Sequence, residues 1–167
     1  MHILNRRGLL ILGVGALTAC TRIARITGRQ LAPNSRLILY RHADRAGEDL
    51  TDRGIARAAA FVSALDGVPV DAIYSPGIQR NLDTAEPLAR ARGVEITRVA
   101  VSNIPHRIAR LSAGRSVVWV GNQGNLRDIW DELGLEGPPP LEYGDLFIVE
   151  TDGNGDVRID RRRVEID

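Results

Sequence analysis

The sequence predicts an α/β fold, a three-layer α/β/α sandwich with a mostly parallel sheet and a C-terminal β-hairpin. Short runs of β-branched or aliphatic residues alternate with stretches whose apolar residues recur at helical spacing, which favours a mostly parallel sheet covered by helices on both faces. After the GPPP loop this alternation stops, and two strand-like runs flank a glycine-rich turn. The four early runs are LILY at 37–40, VDAIY at 70–74, VEITRV at 94–99 and SVVWV at 116–120.

Four helices are predicted between and after these runs. Thr51 is placed to cap the first helix and Gly67 to end it. The second ends near Gly93, and Pro87 is expected to kink or split it. A third covers about residues 104–111. The first helix has an apolar face of Ile55, Ala58, Phe61, Val62 and Leu65, and the fourth, before Gly134, has one of Leu126, Ile129, Trp130 and Leu133.

The C-terminal hairpin joins LFIVE at 146–150 to VRIDRRRVEI at 157–166 through the turn TDGNGD at 151–156. Glycine and asparagine suit the positive φ values of such turns. DGNGD also resembles the start of a calcium loop, but Val157 stands where that loop needs glycine and Arg163 where it needs glutamate. We interpret the segment as a plain turn and expect no metal or other cofactor.

The composition fits one globular domain and excludes several kinds of site. The chain has 167 residues, of which 44% are hydrophobic and 26% charged, enough for a single domain with a core. All 22 basic residues are arginine, which excludes P-loop and Schiff-base lysines, so anion binding must rely on guanidinium groups. Cys20 is the only cysteine, which excludes an internal disulfide and a cysteine-rich zinc site.

The first twenty residues, MHILNRRGLLILGVGALTAC, have the three parts of an export signal. Two arginines precede an apolar run from Gly8 to Leu17, which is too short to span a bilayer, and small residues follow it. LTAC resembles the lipobox of bacterial lipoproteins, which implies cleavage before Cys20 and lipid attachment to its thiol. The alternative is a buried N-terminal helix with an incidental cysteine.

This interpretation divides the chain into three parts. We expect a lipoprotein signal peptide at residues 1–19, a lipidated tether at residues 20–35 and the folded domain at residues 36–167. Two arginines leave with the signal, so 20 arginines then face 21 acids and the formal charge changes from +1 to −1. That balance does not indicate nucleic acid as a partner. We expect the chain to be anchored through Cys20 at a bacterial cell envelope, facing the periplasm or the exterior.

Polar side chains follow three of the predicted strands where each one ends. The first strand runs directly into Arg41 and His42, Arg80 follows the second by about one helical turn, and Asn122 follows the fourth. Parallel strands bring their carboxyl ends to one edge of a sheet, so these side chains are expected to meet there. Guanidinium forks hold phosphoryl oxygens, and a neutral imidazole between them is a competent nucleophile toward phosphorus. The pattern indicates a phosphoryl-transfer site. The alternative is that the strands simply reach solvent there.

Four ordered motifs resemble the histidine phosphatase superfamily, with its phosphoglycerate-mutase-like fold. The motifs are LILYRHADR at 37–45, LTDRGIARA at 50–58, YSPGIQRNLDTAEPLA at 74–89 and VVWVGNQGNLRDI at 117–129. The resemblance extends over most of the chain from about residue 36 to 133. It implies that His42 is the phospho-accepting nucleophile, that Arg41 and Arg80 bind the phosphoryl group, and that no metal takes part.

One position departs from the family pattern. After its fourth strand the family has Gly-His, and this sequence has Gly121 and Asn122. The family's second histidine supplies positive character in the transition state, whereas asparagine can donate only a neutral hydrogen bond. Losing one such stabilising donor typically costs on the order of 10² to 10³ in rate, so we expect reduced activity. His106 is expected to have a surface or helix-capping role and not to replace the missing histidine.

The proton donor to the leaving group is not fixed by the motifs. Asp44 is the carboxylate nearest in sequence to the candidate nucleophile, with Glu48 and Asp49 behind it on the following loop. A raised pKa would be needed for any of them to act as the acid. The alternative for Asp44 is an ion pair with Arg41 or Arg45.

Two functional hypotheses follow. In the first, the chain is an exported, lipid-anchored phosphomonoesterase that forms a phosphohistidine at His42 and acts on a phosphorylated small molecule or phosphoprotein. A good leaving group, such as a phosphohistidine or phosphoanhydride, would make the missing acid less necessary. In the second, the chain is an inactive pseudo-phosphatase that binds a phosphate ester or a protein partner at the cell envelope.

Overall fold

The computed structural model describes residues 30–166 and contains one six-stranded sheet between two pairs of helices. The expected signal peptide and the lipidation site at Cys20 lie outside the described residues. The strands are β1 Arg36–Arg41, β2 Arg45–Ala46, β3 Asp49–Leu50, β4 Ala72–Ser75, β5 Ile96–Arg98, β6 Ser116–Gly121, β7 Asp145–Thr151 and β8 Val157–Arg163. The helices are α1 Asp52–Ala64, α2 Gln79–Arg92, α3 Ile104–Leu111 and α4 Gln123–Glu132.

The six-stranded sheet has the order β5-β4-β6-β1-β7-β8. The first four strands in this order are parallel, while β7 is antiparallel to β1 and β8 to β7. Because β6 lies between β4 and β1, the carboxyl ends of these three strands lie side by side. The predicted fold class, a mostly parallel sheet with a C-terminal hairpin, is confirmed.

Side chains from the two faces of the sheet enter two separate cores. On β1, Leu37 and Leu39 pack on the α3 and α4 side, and Ile38 and Tyr40 pack on the α1 and α2 side. All four are fully buried. Parallel strands covered on both faces read as continuous apolar runs, which is why the sequence predicts them well. Burying such a side chain contributes roughly 1.5 to 3 kcal/mol.

The first helix begins where predicted, and Ala58, Phe61 and Leu65 are buried as expected, but its N-terminal turn buries other residues. The Thr51 hydroxyl accepts a hydrogen bond from the Gly54 N–H at 3.1 Å and caps α1. Ile55, expected in the core, is 58% exposed, so that prediction is wrong. The buried face also contains Gly54 and Arg57, because the backbone of Asp44 lies where a side chain at position 54 would go and the Arg57 guanidinium is paired inside the fold.

The second helix is continuous. α2 includes Pro87 as a helical residue, so the expected split does not occur. Buried side chains on both sides of the proline, including Ala85 and Leu88, pack in the same core against the sheet. The helix ends as predicted at Gly93, whose φ of 64° is left-handed.

The hairpin turn is closed by its own aspartate. The Asp152 carboxylate accepts backbone hydrogen bonds from Asn154 at 2.8 Å and Asp156 at 3.0 Å. The backbone N–H groups of Asp156 and Asn154 hold the pKa of this carboxyl below its usual range. An oxygen that a calcium loop would use is therefore engaged by the turn itself.

Ordered packing begins before β1. Leu31 is buried in the α3 and α4 core, and the Thr151 hydroxyl donates to the Ala32 carbonyl at 2.5 Å. The Asn34 N–H donates to the Asp152 carbonyl at 3.1 Å. The last residues of the segment expected to be a tether are thus joined to the hairpin. Between residues 30 and 166, no helix has the length and apolar character needed to cross a membrane.

Candidate active site

The candidate nucleophile lies at the end of the central strand β1. The His42 N–H donates to the Gly121 carbonyl at 2.8 Å, which continues the β1–β6 pairing one residue past the strand. This bond fixes His42 beside the residue that precedes Asn122. The parallel sheet therefore brings His42 and Asn122 to one edge, where the sequence places them.

His42 is held as a neutral imidazole. His42 is only 2% exposed, and its Nδ1 is 2.9 Å from the Ala43 carbonyl oxygen. A carbonyl only accepts, so Nδ1 carries the hydrogen and Nε2 keeps its lone pair. Burial lowers the pKa of His42 to about 4, opposed by the Ala43 hydrogen bond and assisted by the charges of Arg41 and Arg80. At neutral pH the ring is therefore uncharged.

Arg41 is held by the loop between α4 and β7. One of its terminal nitrogens donates to the Leu141 carbonyl at 2.7 Å, and its guanidinium carbon lies 3.9 Å from the centroid of the Tyr143 ring. The rings of Tyr143 and His42 are 5.8 Å apart between centroids. Stacking on an aromatic face leaves the edge of a guanidinium free to bind an anion in its plane.

Arg80 lies in the first turn of α2 and is paired with an acid. Its side chain is 14% exposed, and Nη1 is 2.6 and 2.7 Å from the two carboxylate oxygens of Glu48. The charge of Arg80 is also felt by His42, whose pKa it lowers. The Nε atoms of Arg41 and Arg80 are buried and have no hydrogen-bond partner within residues 30–166.

Polar contacts fix the start of α2 against the strand ends. The Ala43 N–H donates to the Thr84 hydroxyl at 2.9 Å, and that hydroxyl donates to the Arg80 carbonyl at 2.7 Å. The Asn81 amide donates to the Val120 carbonyl at 3.2 Å. Buried polar groups that are hydrogen-bonded in this way are costly to displace, so Arg80 is held in place beside His42.

Asn122 serves as the N-cap of α4. Its side-chain oxygen accepts from the backbone N–H groups of Gly124 at 3.1 Å and Asn125 at 3.3 Å. The Asn125 side-chain oxygen accepts in return from the Asn122 N–H at 3.1 Å and from the Trp119 indole at 2.9 Å. Only the amide nitrogen of Asn122 remains to donate toward a ligand.

Asp44 is engaged in a structural ion pair. Its carboxylate lies 2.6 Å from Nε of Arg57 and 3.5 Å from Nε of Arg53, so the expected pairing with Arg41 or Arg45 is corrected. Burial alone would raise the pKa of Asp44, but the Arg57 hydrogen bond and the charges of both arginines outweigh it and hold the pKa below its usual range. An ionised carboxylate is a poor proton donor.

The second histidine of the described residues lies on a helix and not at the strand ends that bring His42 and Asn122 together. His106 lies on the exposed side of α3, as the sequence predicts. Across residues 30–166 we find no cluster of histidine, cysteine and acidic side chains arranged to hold a metal ion.

Sequence reasoning missed Tyr143, Leu141 and Arg57. Arg41 and Leu141 are 100 positions apart in the chain, so no local sequence pattern predicts their contact. The GPPP stretch was a signal only that a loop was present. Arg57 lies among the polar residues of α1 in the sequence, and its burial depends on contacts with Asp44 and with the Val164 carbonyl.

Part of the chain that contains the candidate site matches a known protein family. Residues 33–100 match the family model of the histidine phosphatase superfamily (branch 1). The matched residues include Arg41, His42 and Arg80 and end before Asn122. No curated protein matches the chain significantly.

Several solved phosphatase structures share the fold. A protein histidine phosphatase SixA in complex with tungstate is 18% identical, with a TM-score of 0.63, over 77% of this chain and 96% of that one. The α-ribazole phosphatase of Shigella flexneri is 15% identical, with a TM-score of 0.61, over 78% and 96%. A mycobacterial glucosyl-3-phosphoglycerate phosphatase is 14% identical, with a TM-score of 0.59, over 78% and 99%. At these identities the likeness establishes the fold.

Proposed function

We propose that this chain is a histidine phosphatase that hydrolyses phosphomonoesters through a phosphohistidine at His42. The observation that carries the proposal is a neutral, buried imidazole whose Nδ1 is hydrogen-bonded to Ala43, next to two guanidinium groups. That tautomer leaves the Nε2 lone pair for attack on phosphorus. The family-model match over residues 33–100 supports the same assignment.

In the proposed first step, Nε2 of His42 attacks phosphorus and the bond from phosphorus to the leaving group breaks. The leaving group departs with its electron pair, and Arg41 and Arg80 bind the non-bridging phosphoryl oxygens. The phosphorylated imidazole becomes positive, and its Nδ1–H continues to donate to the Ala43 carbonyl. In the second step, water attacks phosphorus, the N–P bond breaks, and phosphate is released with a neutral imidazole.

Asn122 sets the expected level of activity. It supplies at most one neutral donor from its amide nitrogen, since its oxygen caps α4. We assign no step to Asp44, whose carboxylate is held by Arg57. Without an acid, a substrate with a good leaving group is favoured, such as a phosphorylated histidine in a protein or a phosphoanhydride in a small molecule. The name of one structural relative, a protein histidine phosphatase, is consistent with this class.

The cap at Asn122 also favours a second candidate function. If its side chain contributes nothing to the transition state, the site binds a phosphate ester or a protein partner without turnover. Arg41, Arg80 and His42 are compatible with binding alone.

We also propose that the chain is exported and anchored by lipid at Cys20, with residues 1–19 removed as a signal peptide. The support is the sequence pattern alone. Labelling of the expressed protein with a tagged fatty acid tests it, because the label should be lost in Cys20→Ser. Label retained in that variant would contradict the anchor.

Turnover of 4-nitrophenyl phosphate tests the enzymatic proposal. Wild type should hydrolyse it slowly, and His42→Gln, which keeps an uncharged polar side chain of similar size, should fall to the buffer background. Equal rates for wild type and His42→Gln at high protein concentration would reject the enzyme and leave the binding function.

A further inference from the structure

The counter-charge of Arg80 is an unexpected feature of the site. The guanidinium is largely buried, and a buried charge is costly unless it is paired. In the structure its partner is Glu48, whose carboxylate oxygens lie 2.6 and 2.7 Å from the same nitrogen, Nη1. Nη1 has two N–H bonds, so this carboxylate takes up the donors of that nitrogen.

The backbone places Glu48 at this position. β2 and β3 form a two-stranded hairpin in which Ala46 pairs with Asp49, so Gly47 and Glu48 are the two turn residues. Gly47 has a φ of 66°, which glycine adopts without strain, and its carbonyl accepts a hydrogen bond from the Arg45 side chain at 2.7 Å. β3 in turn contacts α2, which carries Arg80.

Carboxylate and phosphoryl oxygens require the same donors. Arginine binds either group through parallel N–H···O hydrogen bonds, and a terminal nitrogen already used by one anion is unavailable to the other. A phosphoryl group that binds Arg80 through Nη1 must therefore displace Glu48. The Glu48 side chain is 66% exposed, so water can solvate the carboxylate once it is released.

We propose that Glu48 is an internal competitor for the phosphoryl site, which lowers the affinity of the site for every phosphate ligand. This rests on the proposed role of Arg80 in phosphoryl binding. The carboxylate neutralises Arg80 in the free protein, and the ligand displaces it on binding. Because the competition ends once the ligand is bound, Glu48 raises KM and leaves kcat unchanged.

The size of the effect follows from the exposure of the pair. Exposed ion pairs are worth little, and Glu48 is mostly in solvent. Removing the competitor should therefore tighten phosphate binding by about two- to fivefold.

Calorimetric titration of vanadate, a mimic of the phosphoryl group, into the full chain tests this. Glu48→Gln should lower the Kd by about two- to fivefold relative to wild type. The matched control is Asp49→Asn, which removes the same charge one residue away and should leave the Kd near the wild-type value. Arg80→Ala should weaken binding strongly, and adding Glu48→Gln to it should give no gain.

Three results would overturn the proposal. Equal or weaker binding by Glu48→Gln, with wild type binding well, would show that Glu48 does not compete while the phosphoryl site stands. An equal gain in Asp49→Asn, or a gain that persists with Arg80→Ala, would show a general charge effect. Binding by none of the variants or wild type would remove the proposed phosphoryl site, and the competitor with it.

Discussion

At the scale of single residues, the surroundings of His42 keep its imidazole neutral, which is the state that the proposed nucleophile requires. Burial removes water from the charged form, and the Ala43 carbonyl fixes the tautomer. The neighbouring arginines disfavour the imidazolium further. In the proposed function the same arginines bind the phosphoryl group, so one set of charges serves both binding and activation.

In the proposed function Asn122 takes part in catalysis and also caps α4, which yields a prediction with two readouts. Asn122→His should raise turnover of 4-nitrophenyl phosphate by about 100- to 1000-fold, since it introduces a donor able to carry charge. It should also destabilise the protein by about 0.5 to 2 kcal/mol, because the N-cap of α4 is lost. Steady-state rates and urea unfolding measure the two effects.

Asn122→Asp is the control for the cap. Aspartate caps helices about as well as asparagine, so unfolding should change little, while its negative charge should lower the rate further. An Asn122→His variant with wild-type stability would show that the cap contributes nothing.

The ion pair of Asp44 supplies a second prediction. Arg57→Gln should cost about 3 to 5 kcal/mol of unfolding free energy, because it leaves the Asp44 carboxylate without its close partner and breaks the bond from Arg57 to the Val164 carbonyl. Arg53→Gln is matched in chemistry, but Arg53 is 67% exposed and 3.5 Å away, so its loss should cost less than about 1 kcal/mol. Similar costs for the two variants, measured by urea unfolding, would contradict a structural role specific to Arg57.

At the scale of elements, the β6–α4 junction is tightly built. A Cβ added at Gly121 would lie 2.1 Å from the Asn125 side-chain oxygen and 2.4 Å from the Trp119 indole nitrogen. Gly121→Ala should therefore disrupt the capping box and cost about 1 to 3 kcal/mol, typical of overpacking. Gly124→Ala, on the exposed side of α4, should be neutral or stabilise by up to about 1 kcal/mol. Thermal unfolding compares them, and equal melting temperatures would show that the junction can relax.

The elements that the sequence predicts well are those with a local signal. Central strands such as β1 and β6 are continuous apolar runs, and Thr51 and Gly93 mark helix ends by their chemistry. The β2–β3 hairpin was missed because its strands are two residues long and polar. That omission hid the contact of Glu48 with Arg80.

The site was predictable to the extent that parallel strands share an edge. Arg41 is the last residue of β1, His42 follows it, and Asn122 follows the adjacent strand β6, so topology alone brings these three residues together. The contact of Tyr143 with Arg41 depends on where the loop between α4 and β7 packs, and no local sequence pattern indicates that position. Likewise, nothing near Asp44 indicates which arginine will face it.

At the scale of the whole molecule, the buried neutral histidine links stability to pH. The pKa of His42 falls from 6.5 in the unfolded chain to about 4 in the fold. Between these values the unfolded state binds a proton that the folded state does not, so stability falls as the pH drops from 6.5 toward 4. Above pH 6.5 His42 is neutral in both states and no longer changes the stability with pH.

This linkage predicts a loss of about 2 kcal/mol of unfolding free energy from pH 7 to pH 5 that comes from His42. Urea unfolding at the two pH values should show that the loss is smaller by that amount in His42→Gln. The carboxyls of Asp44 and Asp152, with lowered pKa values, act only at lower pH and do not interfere. An identical pH dependence in both proteins would mean that His42 titrates normally in the fold.

The central claim is that a phosphoryl group is transferred to His42, and trapping that intermediate tests it most directly. The protein is mixed with 4-nitrophenyl phosphate, quenched in base to preserve phosphohistidine, and its peptides are analysed by tandem mass spectrometry, with His42→Gln treated in parallel. The account predicts one phosphoryl group on the peptide that contains His42, located on the imidazole, and none in the variant. Absence of that phosphohistidine from wild type, or a phosphoryl group on another residue, would contradict it.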